Sequence, residues 1–498
     1  MLFNSYPFIF VYFPLVLIGF FLIGKRNARA AAGFLALASL FFYGWWSVKA
    51  LPLLLASICV NYWFGLRLSP APGRDDRQRK TLLVIALVVN LAVLAVFKYA
   101  NFFVANVNDG LAAAGLSQIP MLHIVLPIGI SFYTFTQIAF LVDCWQGKVH
   151  ERSFIHYVLF VTYFPHLIAG PVLHHAQMMP QFANPATYKI SPDKLALGIA
   201  IFTFGLAKKL LIADPMGQYA DMMFNGVHQG HNPTLYTAWF GALAYTLQIY
   251  FDFSGYSDMA VGLSMCLGVQ LPLNFRSPYK STSIIEFWRR WHISLSTFLR
   301  DYLYVPLGGN RKGPARRYLN LFLTMLLGGL WHGAAWTYVI WGALHGMFLM
   351  INHLWNAKVR RHASPGRLAK FLGWLLTFLC VVVAWIVFRA ESMQAAIAIY
   401  KGMLGMHGAP VSAFSELGSA IPYRKPKFFQ TMLVALVICL AFPPTITLER
   451  WVPRVQMLAG RARLAWASTA LMAIFTVVLL GFCISRLGSY SPFLYFQF

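Results

Sequence analysis

What this sequence has least of is charge. Of its 498 residues only 11% are charged, and just 15 are Asp or Glu, while 59% are apolar. Soluble domains carry about 25% charged and about 45–50% apolar residues, so the composition excludes a water-soluble globule. Cysteine is sparse too: Cys59, Cys144, Cys266, Cys380, Cys439 and Cys483 are far apart and mostly inside apolar runs. They offer neither a zinc pattern nor a disulfide framework, and read as packing residues. The chain has no His-Glu-x-x-His, no G-x-S-x-G elbow, no P-loop and no dinucleotide fingerprint, and no metal site is expected.

What is present is long apolar sequence. The chain is uncharged from Met1 to Gly24, Ala30 to Val48, Ala50 to Leu66 and Thr81 to Phe97. Because lipid cannot satisfy backbone polar groups, a span needs about 20 apolar residues folded as a helix. The runs do not alternate with period two, which argues against a porin-like barrel. The expectation is an all-α, polytopic transmembrane protein with about 11–13 spans plus re-entrant or interfacial helices. Basic residues set its direction. Lys25, Arg26 and Arg29, then Arg67 to Lys80, then Lys148 and Arg152 fall at alternate ends of successive runs, which places them in the cytoplasm and the N-terminus outside. After Phe154, Pro165, Pro171 and Pro180 interrupt the pattern and suggest re-entrant chain.

Forty Lys and Arg against 15 Asp and Glu give a formal charge of +25. In a soluble protein that would suggest nucleic acid, but no nucleic-acid motif accompanies it, and membrane orientation or attraction of an anionic cytoplasmic substrate accounts for it. The chain reads as one membrane domain over 1–498: N-terminal spans to 240, a polar core at 241–356, and C-terminal spans over 357–498 with a loop at about 402–427. These last spans carry few chemistry-bearing residues and are expected to hold the bundle or a partner.

Three segments of the core carry chemistry. Tyr250 to Asp258 holds Asp252 and Asp258, six residues apart and on opposite faces of a continuous helix. They make a poor acid/base pair unless Gly255 breaks the helix; pairing with Lys or Arg of neighbouring helices is the alternative. Glu286 to Asp301 contains Arg289, Arg290 and His292, with Glu286 in helical reach of either arginine. It suits a membrane interface or a polar cavity, and Pro306 to Lys312 ends it in a basic turn that includes Asn310. Leu327 to Trp336 sets His332 in an apolar run between Gly329 and Gly333, which leave room for approach to the ring. His345, 13 residues on, falls on the opposite side of an ideal helix and is not paired with it.

These segments, with Leu126–Tyr133, Phe164–Pro171 and Leu307–Gly313, resemble the membrane-bound O-acyltransferases (MBOAT), and among them the bacterial branch containing the membrane subunit of alginate O-acetylation. The resemblance runs across most of the first 350 residues. It implies a ring of tilted helices around a thin centre, with a cytoplasmic funnel for the donor, in the bacterial inner (cytoplasmic) membrane. It implies His332 as the catalytic residue and His292 as its upstream companion. Arg289, Arg290, Trp331, Asn310 and Asp258 become candidates for contact with the donor or the cavity, and Arg311 and Lys312 for attraction of donor phosphates. The implied reaction takes acetyl from acetyl-CoA, a substrate and not a resident cofactor, to a polysaccharide acceptor such as alginate or cellulose through a periplasmic acetyltransferase partner. Membrane lipid is the other partner, and nucleic acid is not one. D-alanyl transfer to a cell-wall polymer and non-enzymatic polysaccharide or lipid transport are the competing readings; consumption of a thioester separates transport from transfer.

Overall fold

A computed structural model describes residues 1–73, 75–168, 170–358, 366–408, 425–447, 462–488 and 493–494. Among them there is no β-strand, and the fold is all-α as expected. Five helical stretches are long and apolar enough to cross a membrane: Ala28–Trp46, Val48–Leu68, Asp76–Ala113, Pro192–His228 and Arg367–Arg389. Shorter apolar helices lie at Phe8–Gly24, Phe428–Ala441 and Ala470–Ser485. The uncharged runs became helices because in lipid only a helix satisfies its own backbone. Their ends differ from the sequence reading for local reasons. Asp76–Ala113 outlasts its apolar run: the Asp75 carboxylate caps it by accepting from Arg77 N, and Lys98 is accommodated by donating to Ser131 Oγ at 3.2 Å. The helix Ile130–Trp145 starts only after Pro127 and a left-handed Gly129.

Contacts divide the chain into two compact units, residues 1–202 with 259–273 and residues 203–258 with 274–498. The division at 240 and 356 drawn from polarity differs from this partition, because the helices Pro192–Ala207 and Leu235–Cys266 contribute residues to both units.

In the first unit, buried polar groups close on one another. Asn61 and Asn90 exchange amide hydrogen bonds at 3.0 and 2.6 Å. Gln137 donates to Ser57 and accepts from the Tyr157 hydroxyl. His175 Nδ1 lies 2.9 Å from Asp143 Oδ2. Arg79, one of the basic residues read as a loop charge, is buried and donates to the Leu68 carbonyl. Pro165 and Pro171 do interrupt this unit: the helix Phe154–Thr162 stops before Tyr163, and Phe164–Ile168 and Val172–Leu173 are buried without regular helix; Pro180, expected to interrupt as well, lies inside the helix His175–Ala183.

The second unit is organised by the helices Gly313–His332 and Trp336–Lys358, joined by only three residues. Glycines let their backbones touch. A Cβ on Gly329 would stand 2.3 Å from the Tyr338 carbonyl, and one on Gly342 would stand 2.4 Å from the Met325 carbonyl. Such small-residue contacts are how helices pack where hydrophobic driving force is weak. Gly333 likewise admits the Tyr338 ring, which a Cβ would meet at 2.1 Å. Gly329 and Gly333 thus make room for helix and ring packing, where the sequence suggested approach to His332. The short turn also corrects the treatment of His332 and His345 as points on one helix: they belong to two.

Candidate functional site

The segment from Glu286 to Asp301, expected as one helix, folds as two. Ser283 caps Ile284–Trp288 by accepting from Glu286 N. The chain then turns at His292, which sits at φ 43°, ψ 55°, and Ile293–Leu299 follows. A left-handed backbone is uncommon outside glycine and persists where the surroundings enforce it. Here Asn274 enforces it: its backbone carbonyl accepts from Ile293 N at 3.0 Å, and its Oδ1 accepts from Ser294 Oγ at 2.8 Å and from His292 Nδ1 at 3.1 Å. Since an amide oxygen only accepts, Nδ1 carries the proton and Nε2 is the basic nitrogen of His292.

His332 ends the helix Gly313–His332 and is partly exposed, whereas His292 is 1% exposed. Rings frame His332 edge to face: Trp331 at 4.9 Å, Trp341 at 5.2 Å and Phe388 at 5.3 Å. Both histidines line one cavity, together with Ile249, Asp252, Phe253, Trp291, Trp385, Phe388 and Leu494, all in the second unit. It is narrow, about 20 Å³, room for a water and little else, so an acyl donor enters only if its walls move.

Asp252 forms the charged wall. It is 2% exposed, accepts from Lys209 Nζ at 2.6 Å and from Leu494 N at 3.0 Å, and Lys209 also reaches Asp214 at 2.8 Å. A buried charge needs such pairing. Asp258 is held separately by Lys208 at 2.6 Å. Both carboxylates therefore pair with lysines, and Gly255 leaves the helix Leu235–Cys266 unbroken; it packs against the Gly205 carbonyl, 2.8 Å from where its Cβ would be.

Of the residues chosen from the sequence, only His332 and His292 reach this cavity. Trp331 is buried with its ring 6.5 Å from His292, but does not line the space. Arg290 is tied to Glu286 at 2.6 Å, and Arg289 is exposed. Asn310, exposed in the turn before Gly313, accepts from the Tyr304 hydroxyl, with Arg311 and Lys312 exposed beside it. Sequence reasoning missed Asn274, which carries no motif, and took Asp258 where Asp252 is the lining carboxylate. It also missed Trp385, Phe388 and Leu494, so the C-terminal part supplies walls of the site besides holding the bundle. Among the described residues, no group of three or more His, Cys, Asp or Glu is placed to hold a metal ion.

The sequence model of the MBOAT, membrane-bound O-acyltransferase family, matches residues 40–390. The chain is 44% identical to a protein named probable alginate O-acetylase AlgI of Pseudomonas putida, over all of both chains. It is 48% identical to the protein of that name from Pseudomonas aeruginosa, over 81% of this chain and 75% of the relative. It is 36% identical to a peptidoglycan O-acetyltransferase of Helicobacter pylori, over all of this chain and 98% of the relative.

Proposed function

Since this chain belongs to the membrane-bound O-acyltransferase family and is a multi-pass membrane acyltransferase, we propose that it carries acetyl groups from cytoplasmic acetyl-CoA across the bacterial inner membrane for O-acetylation of an exported polysaccharide. The names of the Pseudomonas relatives favour alginate as acceptor, and that of the Helicobacter relative keeps the class to polysaccharide hydroxyls. A separate periplasmic protein receives the acyl group and delivers it, because the described helices leave no large soluble domain to grip a polymer.

The observation that carries this reading is the opening of two imidazoles, His332 and His292, on one cavity. A thioester is already activated, so transfer needs a base and alignment. His332 acts as the base. As the acceptor hydroxyl oxygen attacks the thioester carbonyl carbon, its proton passes to the imidazole. When the tetrahedral intermediate collapses, the C–S bond breaks, the thiolate leaves, and the imidazolium returns the proton to sulfur. Acyl ester and free thiol result, with no net change in His332. His292, fixed by Asn274 with Nε2 basic, orients the acceptor by accepting a hydrogen bond.

The experiment is transfer from radiolabelled acetyl-CoA by the full chain in membranes. His332→Ala, inserted normally, should lose about 10²–10⁴-fold in rate; retained turnover removes His332 from the mechanism. Full-rate acetylation of polymer by the purified chain alone removes the partner.

A further inference from the structure

The helix Asp76–Ala113 is longer than the membrane it crosses. Its 38 residues measure about 57 Å at about 1.5 Å each, against about 30 Å of hydrocarbon. Both ends of its lipid-crossing part are tied to the neighbouring helix Ile130–Trp145: Arg79, in the cytoplasmic basic cluster, donates to the Trp145 carbonyl, and Lys98 donates to Ser131 Oγ at 3.2 Å. The uncharged run begins at Thr81, so about 20 residues fill the core and the helix leaves it near Ala100. Residues 101–113 then stand about 20 Å further out. Headgroups cover only about 5–8 Å of that. Since the basic residues at the start of this helix are cytoplasmic, the projection lies on the extracytoplasmic side.

The chain returns along this projection without helix, over residues 116–127. Two asparagines of the helix hold it there. Asn108 exchanges two hydrogen bonds with the Ile119 backbone, Nδ2 donating to its carbonyl at 2.8 Å and Oδ1 accepting from its N–H at 2.7 Å. Asn101 Nδ2 donates to the Ile124 carbonyl at 3.2 Å. Between these tethers His123 is left-handed, at φ 48°, a conformation that persists where the surroundings enforce it. The result is a built arm, and it is apolar where it meets water. Leu116, Ile119, Met121 and Leu122 are each between 40% and 60% exposed. Asn108 sets Ile119 about 12 Å above Ala100, out of reach of lipid tails. Apart from His123, Asp109 is the one ionisable residue of 101–127. The N–H groups of Met121, Leu122, His123 and Val125 meet no acceptor among the described residues. An exposed apolar patch with an open backbone edge marks a protein contact.

We propose that this arm is the docking site of the periplasmic acetyltransferase, which covers Leu116, Ile119, Met121 and Leu122 with an apolar surface and sets backbone carbonyls against the open N–H groups. The proposal rests on the relay reading above and adds where the partner binds. Lipid is too far away to cover the patch, and its tails offer nothing to the N–H groups. The scarcity of charge makes the contact one of apolar burial and backbone pairing, the chemistry of strand addition.

A photocrosslinking amino acid is placed in living cells at Leu116 or Leu122 of the full chain, with Val88, in the hydrocarbon part of the same helix, as control. Both arm positions should crosslink one periplasmic protein, identified by mass spectrometry, whose deletion abolishes polymer acetylation; Val88 should not. That protein is then purified and titrated against the full chain in lipid nanodiscs. Leu116→Ser with Met121→Ser should weaken its binding about tenfold or more. The melting temperature should stay near that of the parent, because both side chains are exposed. The double variant should also raise the KM for the partner protein with kcat held. Raising salt from about 0.1 M to about 1 M should leave the affinity nearly unchanged. Crosslinks to lipid or to a second copy of this chain alone, no crosslink, a crosslinked protein that acetylation does not need, or binding unmoved by the double variant would each overturn the proposal. Full-rate polymer acetylation by the purified chain alone would instead overturn the relay reading on which it rests.

Discussion

The two compact units differ in how far their buried polar side chains close on one another, although the first also holds Tyr133 Oη and Asn101 Oδ1 without a hydrogen-bond partner among the described residues. In the first, polar groups close on each other: Asn61 with Asn90, Ser57 with Gln137 and Tyr157, Asp143 with His175. In the second, closed pairs such as Lys209 with Asp252 stand beside a face of the helix Trp336–Lys358 whose buried Trp341 Nε1, His345 Nε2, Asn352 Oδ1 and Asn356 Oδ1 have no partner among the described residues. A closed network holds helices together, whereas an open one is tolerated only where something else completes it. The first unit therefore reads as scaffold and the second as the place of chemistry, and substitutions should divide accordingly into those that move stability and those that move rate.

The largest expected effect is the pure rate effect. His332→Ala should abolish acetyl transfer to the extent given above and leave the melting temperature in detergent near that of the parent, because its ring is partly exposed and its helix ends there. A large fall in melting temperature would mean that His332 is scaffold too. Next comes the mixed case, since the closed pair Lys209–Asp252 walls the cavity. Lys209→Met leaves Asp252 buried without its cation and should cost about 3–5 kcal/mol. Adding Asp252→Leu should recover much of that stability but not the transfer rate, because the cavity wall has changed. Failure of the double variant to recover stability would show that the pair holds more than its own charge. In the first unit, Asn61→Leu breaks one reciprocal amide pair and should cost only about 0.6–1.7 kcal/mol, with transfer unaltered once the protein is folded; a rate loss there would erase the distinction between the units.

Much of the fold is legible in the sequence, and the rest is hidden for physical reasons. Apolar runs mark helices because lipid leaves the backbone no other partner, so the spans and the all-α fold followed from the sequence. The density of polar residues between about Leu243 and His353 points to the region of this cavity, where His292 and His332 both lie. The break at His292 was not visible, since nothing in helical periodicity announces a left-handed residue held by an asparagine 18 positions away. Contacts at such separations also concealed Asn274, Trp385 and Leu494 as parts of the site. Gly255, Gly329 and Gly333 were misread for a related reason. Glycine signals that something approaches closely, but the sequence does not say whether it is a ligand or, as here, another backbone or ring.

The smallest effect tests how the open face is held in place. Glu286 lies on the short helix Ile284–Trp288, outside the candidate spans, whose Trp288 donates to His345. Burial is the strongest single influence on its carboxyl and pushes its pKa up. The backbone N–H and hydroxyl of Thr282 and the Arg290 guanidinium together outweigh it, and the net shift is downward. A carboxylate whose folded pKa is depressed adds stability that is fully present above its unfolded pKa and is lost as pH falls through the folded one. The melting temperature of the parent should therefore fall as pH drops through the acid range below the ordinary glutamate value. Glu286→Gln should start slightly lower and fall less. The difference should be small, because exposed ion pairs contribute about 0–1 kcal/mol, and salt should shrink it further. If the variant follows the same pH curve as the parent, Glu286 is not what fixes this helix against the Trp336–Lys358 face, and the orientation of Trp288 must come from its hydrogen bond to His345 and from ring packing with Trp341 and His345.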